Sequence, residues 1–140
     1  MLGAAHDERP PEILLVEDDS GVRRSILMLL KAHGLSAKAY GSGASLAQDA
    51  LARAARLLIA DWQMPDMNGI EVLASLRATG WAGAGLMLTG YYDAIVAAKA
   101  RQEGFQEVLP KPVLDHELIG TVTRLLSEQR AKVAEQQKPG

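Results

Sequence analysis

The sequence contains no cysteine, a single phenylalanine and only 4% aromatic residues. Without cysteine the chain can form no disulfide scaffold, no thiolate metal site and no thiol nucleophile. Its apolar runs fall short of the ~20 residues that a membrane-spanning helix needs, and residues 1–11 lack the apolar core of a signal peptide. The net charge is −2, which provides no basic field for nucleic acid phosphates. We therefore expect a cytoplasmic protein that binds neither nucleic acid nor a membrane.

The remaining composition is that of one ordinary globular domain. The chain has 140 residues, of which 48% are hydrophobic and 23% are charged, and this balance is typical of a folded domain with its own core. We predict an N-terminal extension over residues 1–11 and a folded domain over residues 12–128. Residues 129–140 are rich in Gln, Lys and Glu, and we predict that they form a C-terminal helix extension or tail.

Two kinds of apolar pattern alternate along the chain. Short apolar runs, typical of strands buried on both faces, occur at 13–16, 35–40, 57–60, 86–88 and 108–109. Segments with helical spacing lie between and after them, around 22–30, 47–54, 70–76, 94–103 and 118–126. Gly34, Gly80 and Gly104 follow three of these segments and predict helix ends. The alternation predicts an α/β fold with a parallel sheet covered by helices on both faces.

Charged and polar side chains follow the predicted strands at the points where each strand ends. In an open parallel sheet, ligands bind outside the carboxyl ends of the strands. The residues at these positions are Glu17, Asp18, Asp61, Thr89 and Lys111. Clustered carboxylates repel one another unless a cation intervenes, and Mg²⁺ typically takes one or two carboxylates together with waters and a phosphate oxygen. The pattern therefore predicts a Mg²⁺ site beside a place for an anion.

Other polar residues near this edge have simpler interpretations. Asp19 or Ser20 is expected to cap the first helix, because short polar side chains accept hydrogen bonds from the first turn. Arg23 and Arg24 are predicted to lie on a solvated helix face, where contact with a kinase is an open alternative.

Four segments together resemble the receiver domain of two-component response regulators. They are LLVEDD at 14–19, DWQMPDMNG at 61–69, LTG at 88–90 and LPKP at 109–112. The resemblance is strongest to stand-alone receivers and to those associated with hybrid histidine kinases. It implies a flavodoxin-like (βα)5 fold, in which a five-stranded parallel sheet of order 2-1-3-4-5 has helices on both faces.

The resemblance also implies a role for each residue of the predicted site. Asp61 would be the phosphoacceptor, and Thr89 and Lys111 would contact the phosphoryl oxygens. The Mg²⁺ ligands would be Glu17 (through a water), Asp18, Asp61 and the backbone carbonyl of Gln63. The Lys111–Pro112 peptide bond is expected to be cis.

The function implied is that of a phosphorelay receiver. It would accept a phosphoryl group from a histidine kinase or a histidine phosphotransfer protein in a Mg²⁺-dependent reaction, and would then change its partner-binding surface. We expect no output domain in this chain, no enzymatic activity beyond its own phosphorylation and dephosphorylation, and a monomer or weak homodimer. Val108 stands where the family commonly has Tyr or Phe, so the usual aromatic switch is not expected here.

Three other functions fit the same fold class less well. An aspartyl-phosphate hydrolase usually has a second Asp two residues after its nucleophile, where this chain has Gln63. A flavodoxin-like electron carrier needs a Ser-, Thr- and Gly-rich phosphate loop after the first strand, where Glu17 and Asp18 would repel the flavin phosphate. A degenerate receiver that binds partners without phosphorylation would not need the full set of site residues.

Overall fold

The computed structural model describes residues 10–136, along which strands alternate with helices. The strands are β1 (Ile13–Val16), β2 (Ala37–Tyr40), β3 (Leu57–Asp61), β4 (Ala84–Thr89) and β5 (Glu107–Pro110). The α-helices are α1 (Ser20–Ala32), α2 (Gly43–Ala47), α3 (Gly69–Arg77), α4 (Ala94–Gln102) and α5 (Asp115–Gln136), and a 3-10 helix (Ala50–Ala54) follows α2. The strands are parallel in the order β2-β1-β3-β4-β5. The predicted flavodoxin-like topology is confirmed.

The sheet separates two hydrophobic cores, because alternate residues of each strand point to opposite faces. On one face the strands pack against α1 and α5, and the buried helix residues are Ile26, Leu30, Leu118, Val122, Leu125 and Leu126. On the other face they pack against α2, α3 and α4, through Leu46, Val72, Leu73, Leu76, Ala97 and Ala100. Strands β1, β3 and β4 are buried along nearly their whole length, which explains why their sequences are continuously apolar.

Polar caps and glycines fix the ends of the helices. Asp19 caps α1 by accepting a hydrogen bond from the backbone N–H of Val22 at 3.0 Å. Gly34, Gly80 and Gly104 have φ of 73°, 90° and 107°, the left-handed conformation that glycine adopts without a steric penalty. The three predicted helix ends are therefore confirmed.

The second helical segment differs from its prediction. The pattern over residues 47–54 predicts one helix, but α2 ends at Ala47 and a separate 3-10 helix begins at Ala50. Asp49 separates them, because its carboxylate accepts hydrogen bonds from the N–H of Leu51 and from the side chains of Lys38 and Tyr40. A side chain that binds the backbone locally in this way competes with a continuous helix.

Helix α5 continues past residue 128 and includes part of the predicted C-terminal tail. Residues 1–9 and 137–140 lie outside the described part of the chain, so most of the predicted N-terminal extension and the last residues of the tail lie there too. Among residues 10–136, no helix combines the length and apolar character that crossing a bilayer requires.

Candidate functional site

The carboxyl ends of four strands meet at one edge of the sheet and carry the predicted site residues. Glu17 directly follows β1, Asp61 is the last residue of β3, and Thr89 is the last residue of β4. Lys111 follows β5, and its backbone N–H donates to the carbonyl oxygen of Thr89 at 2.8 Å. Parallel pairing of β1, β3, β4 and β5 brings these side chains together from segments far apart in sequence.

An ammonium group links two of the carboxylates. The Nζ atom of Lys111 lies 2.5 Å from Glu17 Oε1 and 3.0 Å from Asp61 Oδ2. Only 2% of the Glu17 side chain and 12% of the Asp61 side chain are exposed, against 22% for Lys111. Ion pairs this sheltered are screened weakly by solvent, so Lys111 holds both carboxylates in fixed positions.

Burial and charge act in opposite directions on these groups. Burial raises the pKa of Glu17, and the negative charge of Asp61 raises it further, while hydrogen bonds from Lys111 and from the N–H of Asp19 lower it. The net shift of the Glu17 pKa is upward, so Glu17 gives up its proton less readily than an exposed glutamate does. Burial lowers the pKa of Lys111, but hydrogen bonds to Glu17 and Asp61 outweigh this and raise it overall. Lys111 therefore stays charged.

The acidic residues are close enough to share a cation. One carboxylate oxygen from each of Glu17, Asp18 and Asp61 lies within 4.8 Å of the others. Both oxygens of Glu17 are already engaged, one by Lys111 and the other by the N–H of Asp19 at 3.1 Å. Asp18 is exposed, so it and Asp61 offer the more accessible oxygens. Hard oxygen ligands of this kind, with room for waters, fit Mg²⁺.

A cavity of about 210 Å³ opens beside the carboxylates. The residues that line it are Asp61, Gln63, Thr89, Gly90, Tyr91 and Lys111. The hydroxyl of Thr89 is buried and accepts a hydrogen bond from the N–H of Tyr91 at 3.0 Å. The cavity therefore has an ammonium and a hydroxyl on its walls, both of which can donate hydrogen bonds to an anion.

Backbone hydrogen bonds fix both ends of the loop between β3 and α3, and this loop carries Gln63, which lines the cavity. The N–H of Trp62 donates to Leu88 at 2.9 Å, and the N–H of Gly69 donates back to the carbonyl of Trp62 at 3.2 Å. A Cβ atom at Gly69 would lie 2.6 Å from the carbonyl oxygen of Asp61, so only glycine lets α3 begin this close. Asn68 and Glu71 cap the N-terminus of α3, because the side chain of each accepts a hydrogen bond from the backbone N–H of the other.

The segment after β5 has the expected cis peptide bond between Lys111 and Pro112. Val108 is buried within β5 and belongs to the core that packs against α4. The nearby aromatic Phe105 is also buried, and it packs against Gly85. In β5 itself, the position that is commonly aromatic in receivers therefore holds a small, enclosed side chain.

One contact of the site was missed by sequence reasoning. Arg24 is exposed as predicted, but Arg23 is half-buried, and its guanidinium donates to the backbone carbonyl of Glu17 at 2.8 Å. Helical periodicity places Arg23 beside Arg24 at the start of α1, and it gives no indication that one long side chain folds back over the preceding loop. The prediction of a solvated face is therefore wrong for Arg23.

The structure thus brings together every residue of the predicted site at one edge of the sheet. A sequence profile of the response regulator receiver domain matches residues 13–123, which include all of them. The chain belongs to the response regulator receiver domain family. Receivers of this family take part in two-component signalling, in which they interact with histidine kinases or phosphotransfer proteins. The roles of the individual site residues stay predictions.

Known proteins support the same family and fold. The response regulator protein TmoT of Ectopseudomonas mendocina is 30% identical over 139 residues, which are 99% of this chain and 61% of TmoT. The signal receiver domain of a putative Luxo repressor protein from Vibrio parahaemolyticus superposes with a TM-score of 0.83 at 22% identity, covering 91% of this chain and 98% of that one. The chemotaxis protein CheY4 of Vibrio cholerae gives 0.74 at 26% identity, with coverages of 81% and 96%. This receiver therefore spans less than two thirds of the curated relative.

Proposed function

We propose that this receiver accepts a phosphoryl group on Asp61 from a phosphohistidine of a histidine kinase or histidine phosphotransfer protein. The observation that carries the proposal is the position of Asp61, which contacts Lys111 at 3.0 Å, has two further carboxylates close by, and lines the cavity with Thr89. A carboxylate nucleophile between a cation site and hydrogen-bond donors is the arrangement that phosphoryl transfer requires.

In the transfer step, an oxygen of Asp61 forms a bond to phosphorus as the bond from phosphorus to the histidine nitrogen breaks. The electron pair of that bond stays on the histidine nitrogen, and the imidazole leaves as a neutral group because its other ring nitrogen carries a proton before transfer. Lys111 and the Thr89 hydroxyl would hold the oxygens of the transferred group. Mg²⁺, held by Asp18, Asp61, the carbonyl of Gln63 and, through a water, Glu17, would supply charge neutralisation for the phosphoryl oxygens.

We propose no reaction on a separate substrate at this site. Gln63 lines the cavity and stands two residues after Asp61, where an aspartyl-phosphate hydrolase usually has an acid, and an amide cannot protonate a leaving group. The only reactions we propose are phosphorylation of Asp61 and its hydrolysis by water. Phosphorylation would then change the partner-binding surface.

The proposed function also has consequences for the location, the oligomeric state and the partners of the protein. We propose a cytoplasmic receiver that is a monomer or weak homodimer and that binds neither nucleic acid nor a membrane through the domain described here. The larger exposed apolar side chains among residues 10–136 come from several separate elements, namely Val22, Met28, Leu51, Tyr91, Tyr92, Ile95 and Leu114.

The test is incubation of the purified protein with Mg²⁺ and phosphoramidate, a small donor whose phosphorus–nitrogen bond resembles that of phosphohistidine. Peptide mass mapping should find an added mass of ~80 Da, that of HPO₃, on the peptide that contains Asp61. A parallel sample with excess EDTA should stay unmodified. Modification at another peptide only, or equal modification with EDTA, would contradict the proposal.

A further inference from the structure

Arg23 lies between two loops of the site edge. Its Nη1 atom donates to the backbone carbonyl of Glu17 at 2.8 Å and, in a longer contact of 3.4 Å, to that of Asp18. On the other side the guanidinium lies against Gly41, where an added Cβ atom would be only 3.2 Å from Nη1. Arg23 therefore fills the space between the residues that follow β1 and the residue that follows β2.

The carbonyl groups that Arg23 contacts belong to two of the carboxylate residues of the site. The side chain of Glu17 has its own anchors, because Lys111 and the N–H of Asp19 engage its two oxygens. Asp18 is exposed, so the direction of its carboxylate depends on the backbone from which it projects. The hydrogen bonds that Arg23 donates to this backbone should therefore affect the orientation of the Asp18 carboxylate more than that of Glu17.

We propose that Arg23 is a positioning residue for the cation site, whose guanidinium fixes the backbone of Glu17 and Asp18 so that the Asp18 carboxylate is preorganised for Mg²⁺. This inference rests on the proposed function, because it concerns the same site. Both contacts come from one guanidinium nitrogen, Nη1. Its two N–H groups are held in the rigid guanidinium plane, whereas the ammonium of a lysine ends a flexible stem and has no fixed donor directions.

The positive charge of Arg23 acts against this positioning effect. A cation near the site repels Mg²⁺, so removing the charge alone should tighten Mg²⁺ binding. Removing the hydrogen bonds should weaken it. The two effects therefore have opposite signs, and a comparison of variants separates them.

The first test measures Mg²⁺ dissociation constants by calorimetric titration of the metal-free protein. Arg23→Lys keeps the charge and loses the planar guanidinium, while Arg23→Met loses both and keeps a side chain of similar length. We expect Arg23→Lys to weaken binding about tenfold, the lower end of the range for loss of a group that supports a metal ligand. Arg23→Met should weaken binding by a smaller factor, because loss of the charge offsets part of the effect. Arg24→Met, the matched control, should bind slightly more tightly or as the wild type does. Wild-type affinity in Arg23→Lys, or tighter binding by Arg23→Met, would overturn the proposal.

The second test reaches the guanidinium from the opposite side. The three atoms nearest to a Cβ at Gly41 all belong to Arg23, so Gly41→Ala should displace the guanidinium by a few tenths of an ångström without touching a carboxylate. We expect a smaller loss of Mg²⁺ affinity from Gly41→Ala in the wild-type background and none in the Arg23→Met background, because contacting residues are not additive. Equal losses in the two backgrounds would contradict transmission through Arg23.

The third test needs no metal and separates the inference from the proposed function. The N–H of Asp19 is bonded to the Glu17 side chain at 3.1 Å, so loosening of the loop should speed its hydrogen exchange. Arg23→Met should speed exchange at Asp19 while the core amide of Ile59 keeps its wild-type rate. Unchanged exchange at Asp19 would overturn the proposal. If the wild-type protein bound no Mg²⁺, the proposed function would fail, and this measurement would still decide what Arg23 does.

Discussion

At the scale of single residues, Lys111 joins three strand ends of the site. It holds two carboxylates by ion pairs of 2.5 and 3.0 Å, and its backbone is bonded to Thr89. The residue types at the strand ends and their motifs were sufficient to predict these members of the site. The contact of Arg23 was not predicted, because it is made with backbone carbonyl groups. Every residue carries such a group, so the sequence does not show which one a long side chain will reach.

We predict that Lys111→Ala destabilises the metal-free protein and increases its response to Mg²⁺. Loss of the ammonium leaves the sheltered carboxylates of Glu17 and Asp61 unpaired, which should cost about 1–3 kcal/mol. Mg²⁺ would then supply the missing positive charge. Thermal melting with and without Mg²⁺ measures both effects. Lys111→Arg is the control that keeps the charge, and a Lys111→Ala protein as stable as wild type without metal would contradict the role of these ion pairs.

At the scale of elements, the sequence predicted strands more accurately than helices. The three central strands, β1, β3 and β4, are almost continuously apolar because both faces of the sheet are covered there. The segment over residues 47–54 has only a thin stripe of small residues. Asp49 interrupts that segment through its hydrogen bonds to Lys38, Tyr40 and the N–H of Leu51. Two of these partners lie in β2, so the break depends on tertiary contacts that a local pattern does not contain.

The cap at the start of α3 should affect both the stability of the protein and its affinity for Mg²⁺. Asn68→Ala removes the cap of α3, which should cost about 1 kcal/mol and lower the melting temperature by about 3–5 °C. Because Asn68 also ends the loop that carries Gln63, we expect weaker Mg²⁺ binding as well. Asn68→Asp preserves the cap and should retain both properties. If Asn68→Ala lost stability but bound Mg²⁺ as wild type does, the loop would not depend on this cap.

The loop from β4 to α4 should control how long the phosphoryl group persists. Tyr91 and Gln63 both line the cavity, and the N–H of Tyr91 is bonded to the Thr89 hydroxyl. A bulky ring here should hinder the in-line approach of water, so Tyr91→Ala should shorten the lifetime of phosphorylated Asp61. The measurement is loss of the added mass over time after removal of the donor, with Tyr92→Ala as the neighbouring control. Equal lifetimes for wild type and Tyr91→Ala would show that the ring does not shield the bond.

At the scale of the whole molecule, the alternation of patterns was sufficient to predict a parallel α/β sheet with helices on both faces. The strand order came from the resemblance to receivers, because periodicity alone does not say which strand lies beside which. The predicted limits of the domain stay predictions. The chain spans 61% of TmoT, so the activity of a whole response regulator is a separate question from that of its receiver.

Mg²⁺ should stabilise the folded molecule as a whole. A ligand that binds only the folded state adds about 2.7 kcal/mol at a concentration of 100 times its dissociation constant. We therefore expect the melting temperature to rise with the logarithm of the Mg²⁺ concentration once the site is saturated, and Asp18→Ala to reduce this rise strongly. A matched increase in NaCl controls for ionic strength. A wild-type melting temperature that responds equally to Mg²⁺ and to NaCl would contradict a specific cation site.

The most direct test of the central claim compares wild-type and Asp61→Asn proteins after exposure to a small phosphodonor and Mg²⁺. An amide is nearly the same size as the carboxylate but is no nucleophile. The variant loses the ion pair of Asp61 with Lys111, but Lys111 keeps its ion pair with Glu17 and the repulsion with Asp18 is relieved, so it should fold about as stably as the wild type without metal. Intact mass spectrometry should show the added phosphoryl group on the wild type alone, and hydroxylamine should remove it, as it does an acyl phosphate but not a phosphate ester of Thr89. Phosphorylation of Asp61→Asn at the wild-type level, or an adduct that resists hydroxylamine, would contradict the account.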